Sequence, residues 1–278
     1  IFTRANVSKA VTSTKDALFK KNYCCPPLVP DQLAVCEPIK CLHESTFFAG
    51  RYNKYSRVLS QTPWFIEGVR KSESSIEEYI SIPLKEIVKS TETRFSSSGR
   101  EDVDVKMLGR GLPFIIEVIN PHRVIFNKEH MRILQQKINS STDEISVRDL
   151  QEITREDTAL LKEGETEKVK HYSALCWCKD KINAESFTAI NAMKDIVLKQ
   201  KTPIRVLHRR PYACRERMVH SIAAEVIDDH FCLLKLVTQA GTYIKEFVHG
   251  DLGRTVPSMC SLLGTQCDIL ELNVTVGN

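Results

Sequence analysis

"HFCLLKLVTQAGTYIKEFVHGDLG", residues 230–253, changes its period halfway. Its first ten residues are β-rich and read as a strand ending at Gln239. Ala240-Gly241 supplies a tight turn, and Thr242 can cap a helix that follows. On that helix Tyr243 and Phe247 share one face, as do Lys245 and His249, each pair four residues apart. Lys245 falls in the first turn, where a cation meets the positive end of the helix dipole. A carboxylate from elsewhere in the chain would resolve that conflict; a snorkelling surface lysine is the plain alternative.

The same mixture extends outward. Residues 75–90, SIEEYISIPLKEIVKS, have helical spacing and serines at the start. Residues 128–141 read as a helix, and 146–165 as a segment with helical stretches. Strand character marks 113–121, 171–180 and 267–276, and 202–228 reads as two strands with a turn near Pro211. Strands and helices without strict βαβ repetition predict an α+β fold, a largely antiparallel sheet covered by helices. Residues 1–45, with YCCPPLVPDQ as a breaker, read as a linker or remnant of a missing upstream domain, leaving 46–278 as the folded domain. The chain starts with Ile1 rather than Met, as a fragment or processed form would.

Composition narrows the function classes. No apolar run approaches the roughly 20 residues of a membrane helix, and the first residues lack the pattern of a signal peptide. A net charge of +4 permits nucleic-acid binding without demanding it. Its distribution says more: Arg205, His208, Arg209, Arg210, Arg215 and Arg217 cluster around Tyr212, a pattern that can neutralise phosphates and stack a base. Of ten cysteines, Cys24, Cys25, Cys36 and Cys41 lie near His43 without a CxxC knuckle, a weak signal for zinc. Cys176 and Cys178 flank Trp177 in a predicted strand, and Cys214, Cys232, Cys260 and Cys267 sit in apolar sequence. Free thiols are expected rather than disulfides.

One stretch concentrates acids. SSSGREDVDVKMLGRG, residues 96–111, places Glu101, Asp102 and Asp104 after Gly99-Arg100. It lacks the ligand spacing of an EF-hand, and no phosphate-binding loop is present. An arginine beside an aspartate can also hold a phosphate. Alternation would send Asp102 and Asp104 to one face of an extended strand. One of them could be a working carboxylate, but residue physics alone does not choose, and a charged surface turn is the default.

Longer blocks are more specific. GREDVDVKMLGRGLPF, TQAGTYIKEFVHGDLGRT, RYNKYSRVLSQTPW and TPIRVLHRRPYACRERMV together resemble pseudouridine synthase type ten, the archaeal and eukaryotic family that modifies the TΨC arm of tRNA. The resemblance runs from about Phe47 to the end and implies a pseudouridine-synthase-like sheet with a central active-site cleft. It maps the family's catalytic aspartate onto Asp102, its active-site tyrosine onto Tyr172 in K-H-Y-S-A, and the basic partner onto Lys245. Asp104 becomes a structural acid, and Glu101 a surface or RNA-facing one. Two departures stand out: Gly111-Leu112-Pro113-Phe114 where the family has G-R-P-F, and Val58 and Ser60 in the R-V-L-S-Q-T-P-W block.

What the resemblance implies is an isomerase that converts uridine to pseudouridine at tRNA positions 54 and 55, with no metal or organic cofactor. Asp102 would attack the flipped nucleotide covalently, while Tyr172 would stack on the base and assist loss of the C5 proton. Arg57, Arg209, Arg210, Arg215 and Arg217 would hold phosphates, with Arg100 beside the nucleophile. Tyr52 and Tyr55 are equally readable as RNA contacts or as packing. The implied partner is the TΨC arm of tRNA, other structured RNA being a further candidate, with no membrane and a monomeric enzyme. Nucleus and cytoplasm, or mitochondrion, are the implied compartments. A divergent or truncated RNA-binding copy without catalysis is the alternative, and a metal enzyme built on the acidic loop the weakest reading.

Overall fold

A computed structural model of the chain describes residues 3–32, 35–163 and 169–276. It separates into two compact units, 1–41 and 42–278. The first holds helices α1 (Arg4–Ser13) and α2 (Asp16–Asn22), where the sequence reading expected irregular chain. Thr3 caps α1 by accepting from Asn6 N at 3.3 Å, and neither helix has a buried residue. Weak apolar periodicity hid them: these helices rest on local propensity, with a side-chain cap only on α1.

The second unit is organised by one sheet. In chain order its elements are β1 (Thr46–Lys54), β2 (Phe65–Ile66), β3 (Val69–Arg70), α3 (Ile76–Val88), β4 (Glu92–Ser97), β5 (Val105–Ile119), α4 (Lys128–Ser141), β6 (Ile145–Ile153), α5 (Arg155–Glu163), β7 (Val169–Cys178), α6 (Thr188–Ala192), β8 (Lys194–Lys201), β9 (Cys214–Val226), β10 (Phe231–Gln239), α7 (Ile244–His249), β11 (Thr255–Val256), α8 (Met259–Leu263) and β12 (Cys267–Val276). Among the described residues the sheet has ten strands in the order β11-β8-β9-β10-β7-β12-β5-β1-β6, with β4 also on β5. Every pairing in it is antiparallel except β12 with β5. The expected α+β architecture is therefore the observed one.

Helices cover the sheet as their spacing requires. Ile76, Ile80, Leu84 and Val88 form the buried stripe of α3, and Met131, Leu134 and Ile138 that of α4. Ser75 caps α3, and Asn127 with His130 forms a reciprocal cap on α4. The buried stripes meet Phe48, Tyr52, Phe114 and Ile116 from the sheet in one continuous core.

Three sequence expectations change. Residues 146–153 belong to a strand and only 155–163 to a helix; pairing with β1 outweighs the helical residues of VRDLQE. Residues 202–228 contain a single strand, β9. The stretch before it is a loop with a 3-10 turn at Ile204–Val206, because Pro203 and Pro211 cannot donate to a ladder. Cys214 is exposed at the start of β9, whereas Cys176, Cys178, Cys232 and Cys267 are buried free thiols.

Candidate active site

A cleft of about 740 Å³ opens over the junction of β5, β12 and β7. Its apolar lining includes Val105, Met107, Leu112, Leu272 and Val274, and its polar wall includes Asp102, Tyr172, Arg205 and Lys245. The junction contains the sheet's parallel pairing, Leu272 with Val105 and Val274 with Met107. Gly99 through Asp102 precede β5, so the acidic stretch enters the cleft at this seam.

The three acids have three environments. Residues 102–105 form a turn, with Val105 N bonded to Asp102 O at 3.1 Å, so the alternation expected of an extended strand does not apply. Glu101, read as surface or RNA-facing, is instead buried. Tyr52 Oη lies 3.0 and 2.9 Å from its two oxygens. Burial pushes the Glu101 carboxyl up, against the opposing charge of Lys54 and the Tyr52 hydrogen bond. Lys54 is itself fully buried, and its Nζ donates to the carbonyls of Leu59, Asp102 and Val103 at 3.2, 3.0 and 2.9 Å. Burial lowers the Lys54 pKa, opposed by the charges of Glu101, Asp104 and Asp102. Gln61 Nε2 completes the support by donating to Gly99 O at 3.0 Å and lying 2.8 Å from Tyr52 Oη. Lys54 and Gln61 thus both hold the backbone around Asp102.

Asp102 points its carboxylate at two cations. Arg205 Nη1 lies 2.8 Å from Oδ2, and Lys245 Nζ 3.5 Å from the same oxygen. Lys245 is closer to Asp104, donating to both its oxygens at 2.7 Å. The acid required by the position of Lys245 in its helix is therefore chiefly Asp104, the structural acid of the expected scheme. Burial opposes the Asp104 charge, and the Lys245 contact outweighs it, holding the carboxyl below the usual carboxylate range. Arg205 was recognised only as part of the basic cluster. Nothing in its spacing links it to Asp102, because a loop between β8 and β9 delivers it.

The elements carrying these cations are tied together. Gln200, buried in β8, clasps the backbone of Tyr243: Nε2 donates to its carbonyl at 2.9 Å, and Tyr243 N donates to Oε1 at 3.0 Å. That clasp sets the start of α7. Thr242, expected as its cap, instead donates to Gln239 O at 2.7 Å and closes the turn. Asp251 Oδ2 accepts from Ile204 N at 3.3 Å, and Arg254 Nη2 donates to Thr202 O at 2.6 Å. The DLGR residues after α7 thus hold the loop that presents Arg205.

Tyr172 lines the cleft from β7, opposite Leu236 and Val274 in register. Burial pushes its phenol up to about 12, so it stays protonated at neutral pH. Arg100, Arg209, Arg210, Arg215 and Arg217 also line the cleft, as does Lys170. Three expected RNA contacts do not line the cleft. Tyr52 is fully buried and serves Glu101. Arg57 is spent inside the protein: its Nη1 donates to the carbonyls of Asp104 and Leu272 at 2.8 and 3.0 Å, and its Nη2 meets Glu271 and Asn273 at 2.6 and 2.8 Å. Tyr55 is exposed but shares a hydrogen bond with Ser146 and does not line the cleft. Leu112 is buried and adds an apolar wall to the cleft.

A mixed sheet with one aspartate set between two cations over a basic cleft is the arrangement that the resemblance to the pseudouridine synthases implied. Residues 47–276 match the family model described as Pus10, C-terminal, and residues 1–41 the one described as Eukaryotic Pus10, N-terminal. The chain belongs to the Pus10 family. It is 53% identical to a Homo sapiens protein named tRNA pseudouridine synthase Pus10, over 99% of this chain and 52% of that protein. A protein of the same name from Pyrococcus furiosus is 35% identical over 87% of this chain and 61% of its own length. The chain spans about half the length of the vertebrate relatives it matches. A solved Cbf5-Nop10-Gar1 complex aligns with 82% of this chain and 48% of that one at 16% identity and a TM-score of 0.44, a likeness too loose to define the fold by itself.

Proposed function

We propose that this protein isomerises uridine to pseudouridine in the TΨC arm of tRNA, at positions 54 and 55, with Asp102 as nucleophile. The observation that carries the reading is the Asp102 carboxylate in the cleft, 2.8 Å from Arg205 and 3.5 Å from Lys245, with Tyr172 on the same wall. The names of its relatives support the substrate class.

The chemistry follows from the groups present. The target uridine leaves its stack to enter the cleft. Asp102 adds covalently, the C1′–N1 bond breaks, and the uracil turns so that C5 can bond to C1′. N1 gains a proton and C5 loses one, so no redox partner or external group is consumed. Arg205 and Lys245 offset the charge that moves off and onto Asp102. Tyr172, a neutral phenol, offers its ring for stacking and its hydroxyl for hydrogen bonding. Arg209, Arg210, Arg215 and Arg217 supply phosphate contacts around the cleft. The reading extends to a monomer acting in nucleus and cytoplasm, testable by sizing the purified protein and by cell fractionation.

The test incubates the protein with unmodified tRNA transcript and maps pseudouridine by carbodiimide-stop sequencing. Stops at 54 or 55 with wild type, absent with Asp102→Asn, are expected. Tight binding without product from either would replace the enzyme with an RNA-binding protein.

A further inference from the structure

Glu246 is a carboxylate that the reaction does not use. It follows Lys245 in α7, is 1% exposed and does not line the cleft. A buried carboxylate is costly unless it is paired with good geometry. Its partner is Arg205, whose Nε donates to Oε1 at 2.7 Å and whose Nη2 reaches Oε2 at 3.5 Å. The remaining nitrogen of the same guanidinium, Nη1, meets Asp102. One planar fork therefore spans two acids, the edge formed by Nε and Nη2 on Glu246 and the far nitrogen on the nucleophile. Lysine, a point charge without a planar fork, cannot reproduce the side-on edge on Glu246 together with the far nitrogen on Asp102.

Arg205 needs restraint. Its side chain is 36% exposed and stands among Arg209, Arg210, Arg215 and Arg217, where an RNA backbone would lie. A phosphate is a strong bidentate partner for a guanidinium. An unrestrained Arg205 would leave Asp102 for the substrate's own phosphate as the cleft filled.

We infer that Glu246 is a positioning residue that clamps Arg205 on Asp102 and withholds it from RNA phosphates. The clamp makes Arg205 the standing partner of the nucleophile, while Lys245 remains shared with Asp104. This rests on the proposed synthase reaction for its catalytic consequence, but the withheld phosphate contact can be measured without turnover.

The experiment uses the whole protein and unmodified tRNA transcript. In Glu246→Gln, which keeps the shape and one acceptor, Arg205 is released. The single-turnover rate should fall at least tenfold while Kd stays within about twofold or tightens. The slope of log K against log salt should steepen by about 0.7 to 0.9, the value of one added phosphate contact. A role confined to folding would weaken rate and binding together and leave the slope alone, and that result overturns the clamp. Arg205→Lys is the second probe, should Glu246→Gln fold poorly. It should lose a similar factor in rate, and the double variant should be no slower than the slower single one. Losses that multiply also overturn the proposal. Absence of product from wild type would sink the synthase reading, and the salt slopes would still decide the clamp.

Discussion

Lys245 stands 2.7 Å from both oxygens of Asp104 but 3.5 Å from Asp102, so the lysine expected to partner Asp102 is held mainly by the neighbouring acid. Asp104→Asn should release that hold. The Asp104 side chain is 61% exposed, so its ion pair contributes little to folding, below about 1 kcal/mol. The expected outcome is a rate loss of about fivefold with a nearly unchanged melting temperature at pH 7. Because the folded pKa of Asp104 is depressed, its small stabilisation is present above the unfolded value of about 3.9 and is lost as pH falls through the folded one. Wild type and Asp104→Asn should therefore draw together in stability as pH falls below that unfolded value and through the folded one. Divergence there, measured by denaturant titration, would refute the assignment.

Glu101 titrates in the opposite sense. Burial raises its folded pKa, so its contribution is full below the unfolded value of about 4.3 and is lost as pH rises through the folded one. Glu101→Gln keeps an acceptor for Tyr52 and removes the charge. Its denaturation midpoint should lose less than that of wild type between pH 4 and neutrality. Lys54→Met should cost about 3–5 kcal/mol, because it strands a buried carboxylate and three carbonyls. Adding Glu101→Gln to it should recover part of that loss.

Gly111 explains the spacing of the G-R-G segment. Its φ is +71°, and a Cβ there would lie 2.5 Å from the Tyr52 carbonyl oxygen and 2.8 Å from its carbon. The neighbour is backbone of β1, which has its own register shift between Tyr52 and Lys54 and cannot give way cheaply. Gly111→Ala should destabilise by about 2–4 kcal/mol, from left-handed strain plus overpacking. A midpoint equal to wild type would remove this constraint.

The strand–turn–helix change at residues 230–253 exposed the fold class, because its period switches within one segment and its burial follows that switch. The first helices escaped notice because they bury nothing that would leave a periodic mark. At the site, physics alone left the acids unresolved. Glu101 looked like a surface charge because local sequence carries no record of Tyr52 and Lys54, which arrive from a strand about 50 residues earlier. Arg205 was invisible as Asp102's neighbour for the same reason: both contacts of its guanidinium are long-range, one to a turn and one to a helix.

Arginines in this molecule divide by what already occupies them. Arg210 is exposed on the cleft wall, while the Arg57 guanidinium is fully engaged by Glu271, Asn273 and two carbonyls. Arg210→Gln should weaken tRNA binding and flatten the salt slope by about 0.7 to 0.9, with little change in the saturating rate. Arg57→Gln should leave that slope unchanged and lower the melting temperature, because it unties β12 from the Asp104 turn. Measuring both variants by filter binding across salt and by thermal denaturation separates the roles. A flattened slope in Arg57→Gln would return that residue to the RNA interface, and an unchanged slope in Arg210→Gln would take the basic wall out of it.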